Sequence, residues 1–209
     1  MEMTPPEVEE FTAAPLQESV DLNIASDAIS PIVMKGLAPG QMANRSGSGR
    51  AAAIGAYGGK WGQYAEAAVL RALEWLRINQ NQDGSWGTND KEAMAGLGIL
   101  TYLAHGETTA SEKYGETVMR AIQYLVARQN GAGEFAKTDT TAGTYSQAIC
   151  VYALSEAYGM TRIPSLKPAM EQGAEVLIQG QQANGGFDYR FEKGARRDTS
   201  LGGWCSQAL

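Results

Sequence analysis

Residues 71–87 read RALEWLRINQNQDGSWG. The first half places apolar side chains on helical spacing. The second half is a turn that contains one glycine and closes on a tryptophan. The same arrangement returns twice. The first copy is Arg71-Ala72-x2-Trp75-Leu76-x3-Gln80-x3-Gly84-x-Trp86. The second is Arg120-Ala121-x2-Tyr124-Leu125-x3-Gln129-x3-Gly133-x-Phe135. The third is Gln172-Gly173-x2-Val176-Leu177-x3-Gln181-x3-Gly185-x-Phe187. The glutamines are 49 and 52 residues apart, and no gap opens inside the template. Each position has a physical reading. The glycine permits a turn that a Cβ would obstruct. The aromatic two residues later is expected to fold over the turn as a lid. The glutamine amide both donates and accepts, so it can tie one helix end to another. Trp75–Leu76 and Tyr124–Leu125 are expected to anchor each amphipathic helix on its partner.

Outward from the junctions, amphipathic and apolar segments alternate. "YAEAAVLRALEWLRINQ", "YGETVMRAIQYLVARQ" and "SLKPAMEQGAEVLIQGQ" are amphipathic; "KEAMAGLGILTYLAHG", "YSQAICVYALSEAYG" and "TSLGGWCSQAL" are apolar on most sides. Repeated helix pairs of this kind predict an all-α class. Residues 1–60 read instead as a largely extended or disordered acidic arm. Five of the seven prolines lie there, and "NRSGSGR" has linker composition. "SVDLNI" alternates well enough for a short edge strand. Residues 1–34 hold seven acids and no Lys or Arg, so the remainder is nearly neutral despite a net charge of −6. Nothing basic argues for nucleic acid. No apolar run is long enough to span a bilayer.

The three junctions resemble the QW motif of squalene–hopene and related terpenoid cyclases, a repeat shared more loosely with protein prenyltransferase β-subunits. The resemblance covers residues 63–209. It implies a partial α/α toroid of about three helix hairpins over residues 61–209, an open arc with inner and outer helices alternating. It implies that Gln80, Gln129 and Gln181 are clasps bonded to the start of the next inner helix, with Trp86, Phe135 and Phe187 as lids. Phe at two lids, and Val176 where an aromatic is usual, depart from the pattern. The wording "AMAGLGILTYLAHGET", "ALSEAYGMTRIP" and "RRDTSLGGW" is similar to bacterial squalene-cyclase-repeat proteins, whose full-length forms imply a cell-envelope location.

The catalytic chemistry of that family is hard to place here. Its cyclases protonate an alkene with an aspartate of a DxDD motif, and no two aspartates here stand two apart. Asp83 lies inside the first clasp turn, where local turn bonding is preferred. Prenyltransferases hold zinc with Asp, Cys and His. The sole histidine, His105, is better placed to cap a helix. Cys150 and Cys205 fall at the repeat position of Gly98, which favours buried free thiols over a disulfide. Asn89 with Glu92, and Asp198, read as helix N-caps. No cofactor or metal is implied.

The third turn, "FDYRFEKGARRD", is longer than its equivalents. Phe187, Tyr189 and Phe191 alternate, which allows a small hairpin or a stiff strap. Arg190, Arg196 and Arg197 lead to Asp198 at a helix start, a position that favours anions. With Tyr145, Tyr189 and Trp204 they make a candidate anion or ligand rim. The competing reading, a solvated loop pairing with Glu192 and Asp198, is preferred.

Three functions remain open. The first is a non-catalytic binding or scaffold module, and the reading leans this way, away from an enzyme. The second is a cyclase or prenyltransferase whose acid lies beyond Leu209. The third is a polysaccharide-binding or carbohydrate-active toroid. The last apolar segment is shorter than its equivalents, so the chain is expected to be a piece of a longer protein. Its partners are then expected to be further repeats, or a second copy meeting the uncovered apolar sides of Leu201 and Trp204.

Overall fold

The computed structural model describes residues 45–209, and these contain seven α-helices and no strand. They are α1 (Gly47–Tyr57), α2 (Gly62–Ile78), α3 (Lys91–Ala104), α4 (Gly115–Arg128), α5 (Thr141–Thr161), α6 (Leu166–Gly180) and α7 (Thr199–Ala208). Residues 1–44, including the "SVDLNI" segment read as a possible strand, lie outside the described residues. The last part of the region read as an arm is helical. Ser46 caps α1 by accepting from Gly49 N–H at 3.0 Å. Arg45 pairs with Glu156 at 2.5 Å, and Arg50 donates to the His105 carbonyl. The Ser/Gly run read as linker is therefore the capped and anchored start of a helix.

The all-α expectation holds, and the helices sort by their apolar patterns. α3 and α5 are buried on most sides, and with α7 they pack side by side. α4 and α6 each lie against the helix before them, α3 and α5. The buried residues of α4 include Thr117, Val118, Ala121, Ile122 and Leu125, which recur at steps of three and four. Tyr124 adds a hydrogen bond from its hydroxyl to Glu92 at 3.1 Å, and Arg128 pairs with the same carboxylate at 2.7 Å. Trp75, at the matching place on α2, is 61% exposed, so it does not anchor its helix; Leu73 does that from full burial.

The three turns share one backbone fold. The residue after the glutamine donates four residues on, from Asn81 to Ser85 O at 2.8 Å, Asn130 to Glu134 O at 2.9 Å and Gln182 to Gly186 O at 2.9 Å. The glycine N–H then returns to Asn81, Asn130 or Gln182. Gly84, Gly133 and Gly185 all have left-handed φ, between +83° and +92°, which favours glycine. The lids are in place: Trp86 is 5% exposed, and Phe135 and Phe187 are each 2% exposed. Trp86 donates from its indole to Leu76 O at 2.7 Å, and its ring lies where a Cβ on Gly98 would stand.

The clasp partner differs from the expectation. Gln80 donates to its own turn at Gly84 O and to Thr117 O of α4, both at 2.9 Å. Gln129 donates to Gly133 O at 3.1 Å and to Ala169 O of α6 at 2.8 Å. Each glutamine thus reaches the next amphipathic helix, not the start of the next apolar one. The acceptors sit inside helices, where a carbonyl keeps a second lone pair for a side-chain donor. Arg120 answers from α4 with bonds to Asn81 O at 2.8 Å and Gln82 O at 2.9 Å. The start of α5 reaches the second clasp through its own Gln147, which accepts from Phe135 N–H at 2.9 Å and donates to Gly133 O at 3.1 Å.

Two further expectations are corrected. Leu201 is fully buried and Trp204 packs against the core, so α7 does not present them as an uncovered apolar face. The Asn89–Glu92 cap does not form: Asp90 stands at the N-cap with φ 45° and no side-chain bond, while Glu92 serves Tyr124 and Arg128.

The glycines give a graded test. A Cβ on Gly133 would come within 2.5 Å of Gln172 O, whereas at Gly185 the nearest atom is its own Gln181 Nε2 at 4.0 Å. Gly133→Ala is expected to cost about 2–5 kcal/mol, combining left-handed strain and overpacking. Gly185→Ala is expected to cost only the strain, about 1–2 kcal/mol. Urea denaturation of both variants checks this, and equal losses would show that the contact between hairpins contributes nothing.

Candidate functional site

The polar rim forms where the third turn meets α7. The alternating aromatics do not make a hairpin. Tyr189–Phe191 is a short 3-10 turn, because Arg190 and Phe191 both take left-handed φ, 57° and 51°. That reversal breaks the period-two pattern and sends Phe191 back over Gly180 and towards Phe187. Gln182, buried beneath the loop, donates to Glu192 O at 3.1 Å and Arg196 O at 2.9 Å and holds it down.

Asp198 is the hub. As the N-cap of α7 it accepts from Leu201 N–H at 2.8 Å, as its sequence position implied. It also accepts from Tyr189 at 2.7 Å, Tyr145 at 3.1 Å and Ser200 at 2.8 Å. The Leu201 N–H, then the Tyr189 and Ser200 hydroxyls, hold its carboxyl well below the usual carboxylate range. The same bonds act oppositely on Tyr189, whose hydroxyl is pushed up to about 12, first by Asp198 and then by Tyr145. The Tyr145 and Tyr189 rings lie 6.1 Å apart, so the hub joins α5, the third turn and α7.

The arginines divide. Arg196 pairs with the buried Asp188 at 2.7 Å, lies 3.9 Å from Asp198 and covers the Tyr189 ring at 4.4 Å. Arg190 pairs with Glu192 at 2.5 Å. Arg197 has no ion pair among the described residues; its stem crosses Gly186 and lines a groove of about 350 Å³ with Asp198 and the glycines of α7. Trp204 is partly buried and packs against the core. The geometry brings Tyr145, Tyr189, Arg196 and Asp198 together and leaves Arg190, Arg197 and Trp204 apart. Two of the three rim arginines, Arg190 and Arg196, are met by this chain's own acids.

The other residues weighed for chemistry are also engaged. Asp83 accepts from Ser85 N–H at 3.0 Å and from its hydroxyl at 2.5 Å, and pairs with Lys91 at 2.9 Å. Led by the Ser85 hydroxyl and the Lys91 ammonium, these contacts lower its carboxyl to about 2. His105 is the C-cap residue of α3, with its ring between Glu66 at 3.1 Å and Glu107 at 3.2 Å. Cys150 and Cys205 are buried free thiols; burial pushes Cys150 well up and Cys205 to about 12. Among the described residues no three His, Cys, Asp or Glu side chains group to hold a metal ion, and no helix is long and apolar enough to cross a membrane. The sequence offered no role for Gln147 or Arg120. A lone glutamine inside "SQAICVY" was the available signal for the first, and the recurring Arg/Gln of the template for the second.

The hub has a pH signature. Because the folded carboxyl of Asp198 is depressed, its stabilising contribution is present above the unfolded value of about 3.9 and is lost as pH falls towards the folded one. Asp198→Asn keeps a capping oxygen but not the charge. The variant should melt below wild type at neutral pH, and the gap should close as pH drops below about 4. A melting-temperature gap that stays constant from neutral to acid pH would contradict this.

A scan against protein-family models gives no match for this chain, and neither the curated proteins nor the solved structures contain a match.

Proposed function

We propose that this chain is a non-catalytic repeat domain that works as a binding or scaffold module. On the resemblance of its repeats, it belongs to a protein of the cell envelope. One observation carries the reading: the acids and thiols that chemistry of the resembled family would call on are already spent. Asp83 folds a turn, Asp198 caps α7, and Cys150 donates its S–H to Glu92 O at 3.3 Å. A general acid for alkene protonation must hold its proton at working pH, whereas both aspartates are held ionised by their donors.

Incubation of the purified chain with squalene and with polyprenyl diphosphates tests this. The expected result is recovery of unchanged substrate after long incubation. A cyclised or transferred product that disappears in Asp83→Asn or Asp198→Asn would overturn the reading.

A further inference from the structure

The two ends of the repeat array are complementary to each other. Inside the chain, a clasp is filled twice in the same way. α4 gives the first clasp Thr117 O and the Arg120 guanidinium, and a Cβ on Gly84 would come within 2.4 Å of Arg120 O. α6 gives the second clasp Ala169 O, with Gln172 O as close to Gly133. Thr117 and Ala169 are each 6% exposed in these seats, and Ala121 is fully buried.

The third clasp is built but unfilled. Its backbone bonds match the others, and Gln181 donates to its own Gly185 O at 2.9 Å. No second helix carbonyl is among the bonds of Gln181 in the described residues. Gln181 and Gly185 are exposed, whereas Gly84 and Gly133 are buried. The groove of about 350 Å³ between this clasp and α7 is lined by Gly185, Gly202 and Gly203, with the Arg197 stem over Gly186, so a helix backbone can approach closely beside that side chain.

At the other end, α2 carries the receiving pattern, and no helix among the described residues is seated on it. Aligned on the clasp glutamines, Ala68, Arg71, Ala72 and Trp75 stand where α4 has Thr117, Arg120, Ala121 and Tyr124. All four are exposed among the described residues. They lie on a stripe with Trp61 and Tyr64, 65% and 70% exposed, and Ile78, 65% exposed, at alternating steps of three and four residues.

We propose that α2 of one copy seats in the third clasp of a second copy, giving a head-to-tail assembly of this chain. In that seat Gln181 donates to the carbonyl of Ala68, and the Arg71 guanidinium meets the carbonyls of Gln182 and Ala183. Trp75 lies against α7 as Tyr124 lies against α3. The contact is heterologous, so it propagates until it closes into a ring or continues as a filament. It does not rest on the scaffold reading, because a catalytic chain would assemble by the same surfaces.

Sedimentation velocity on the full chain, with one variant for each end, tests this. Arg71→Glu spoils the head, and Ala183→Arg spoils the tail; both sites are exposed, and circular dichroism confirms folding. Wild type should grow in mass with concentration. Each variant alone should stay monomeric, because any assembly needs both surfaces on the same species. Mixed in equal amounts, they should form a one-to-one pair that grows no further, since one intact head and one intact tail remain. A wild type that is monomeric at every concentration, a single variant that still assembles, or a mixture that fails to pair would each overturn the proposal.

Discussion

The side-chain amide of Gln80 has two hydrogens, and each has a carbonyl to go to: Gly84 in its own turn and Thr117 in the next amphipathic helix. That pair of bonds sets much of the rest. The first keeps the turn closed, so the glycine must stand in left-handed backbone. The second fixes how far the next helix can be from the turn, so that same glycine presses on Arg120 O with no room for a Cβ. One such bond contributes only about 0.5–1.5 kcal/mol net, but leaving a buried carbonyl unpaired costs about 1–3 kcal/mol. The clasp therefore acts most strongly as a condition on register.

The coupling is directional. Each clasp reaches forward along the chain, to α4 from the first turn and to α6 from the second. A repeat built this way is stabilised by nearest neighbours, and its two ends cannot be alike. Among the described residues, the third clasp and the exposed face of α2 have no helix seated on them. The third turn also departs from the first two in what it ties. Where Arg120 reaches across from α4, the third turn uses Lys193, which donates to Gln181 O at 2.8 Å, and the Asp198 hub to secure its own longer loop. Of the charge that made this loop look like an anion site, Arg190 and Arg196 pair with Glu192 and Asp188 inside the loop, and Lys193 ties it to the end of α6.

The repeat and the class were legible because helical periodicity and the glycine-to-aromatic spacing are local properties. The positions of α2 to α7 follow from them, as do the left-handed glycines and the buried lids. What the sequence withheld was long-range. Nothing in the first turn says that Gln80 finds Thr117, 37 residues on, in preference to the start of α3. Trp75 looks like an anchor because Tyr124 stands at the same template position, yet among the described residues Tyr124 meets Glu92 of α3 while Trp75 is 61% exposed. In the third turn the alternation of Phe187, Tyr189 and Phe191 was real. The left-handed backbone at Arg190 and Phe191 that cancels it has no glycine to announce it. The run "NRSGSGR" reads as linker for the opposite reason: Ser46 is as good a helix cap as a linker residue, and only the docking by Arg45 and Arg50 decides between them.

The central claim is that the contact between hairpins, more than the turn itself, stabilises each clasp. Amide hydrogen exchange resolves this most directly, because all three turns have the same backbone bonds and only the first two have a helix of the described residues seated on them. At concentrations where the chain is monomeric, the N–H groups of Asn81, Gly84, Asn130 and Gly133 should exchange at rates near those of the core of α5. That of Gly185, which is exposed with no helix among the described residues seated on it, should exchange far faster. Equal protection at all three clasps would contradict the account, because the turns would then hold without their neighbours.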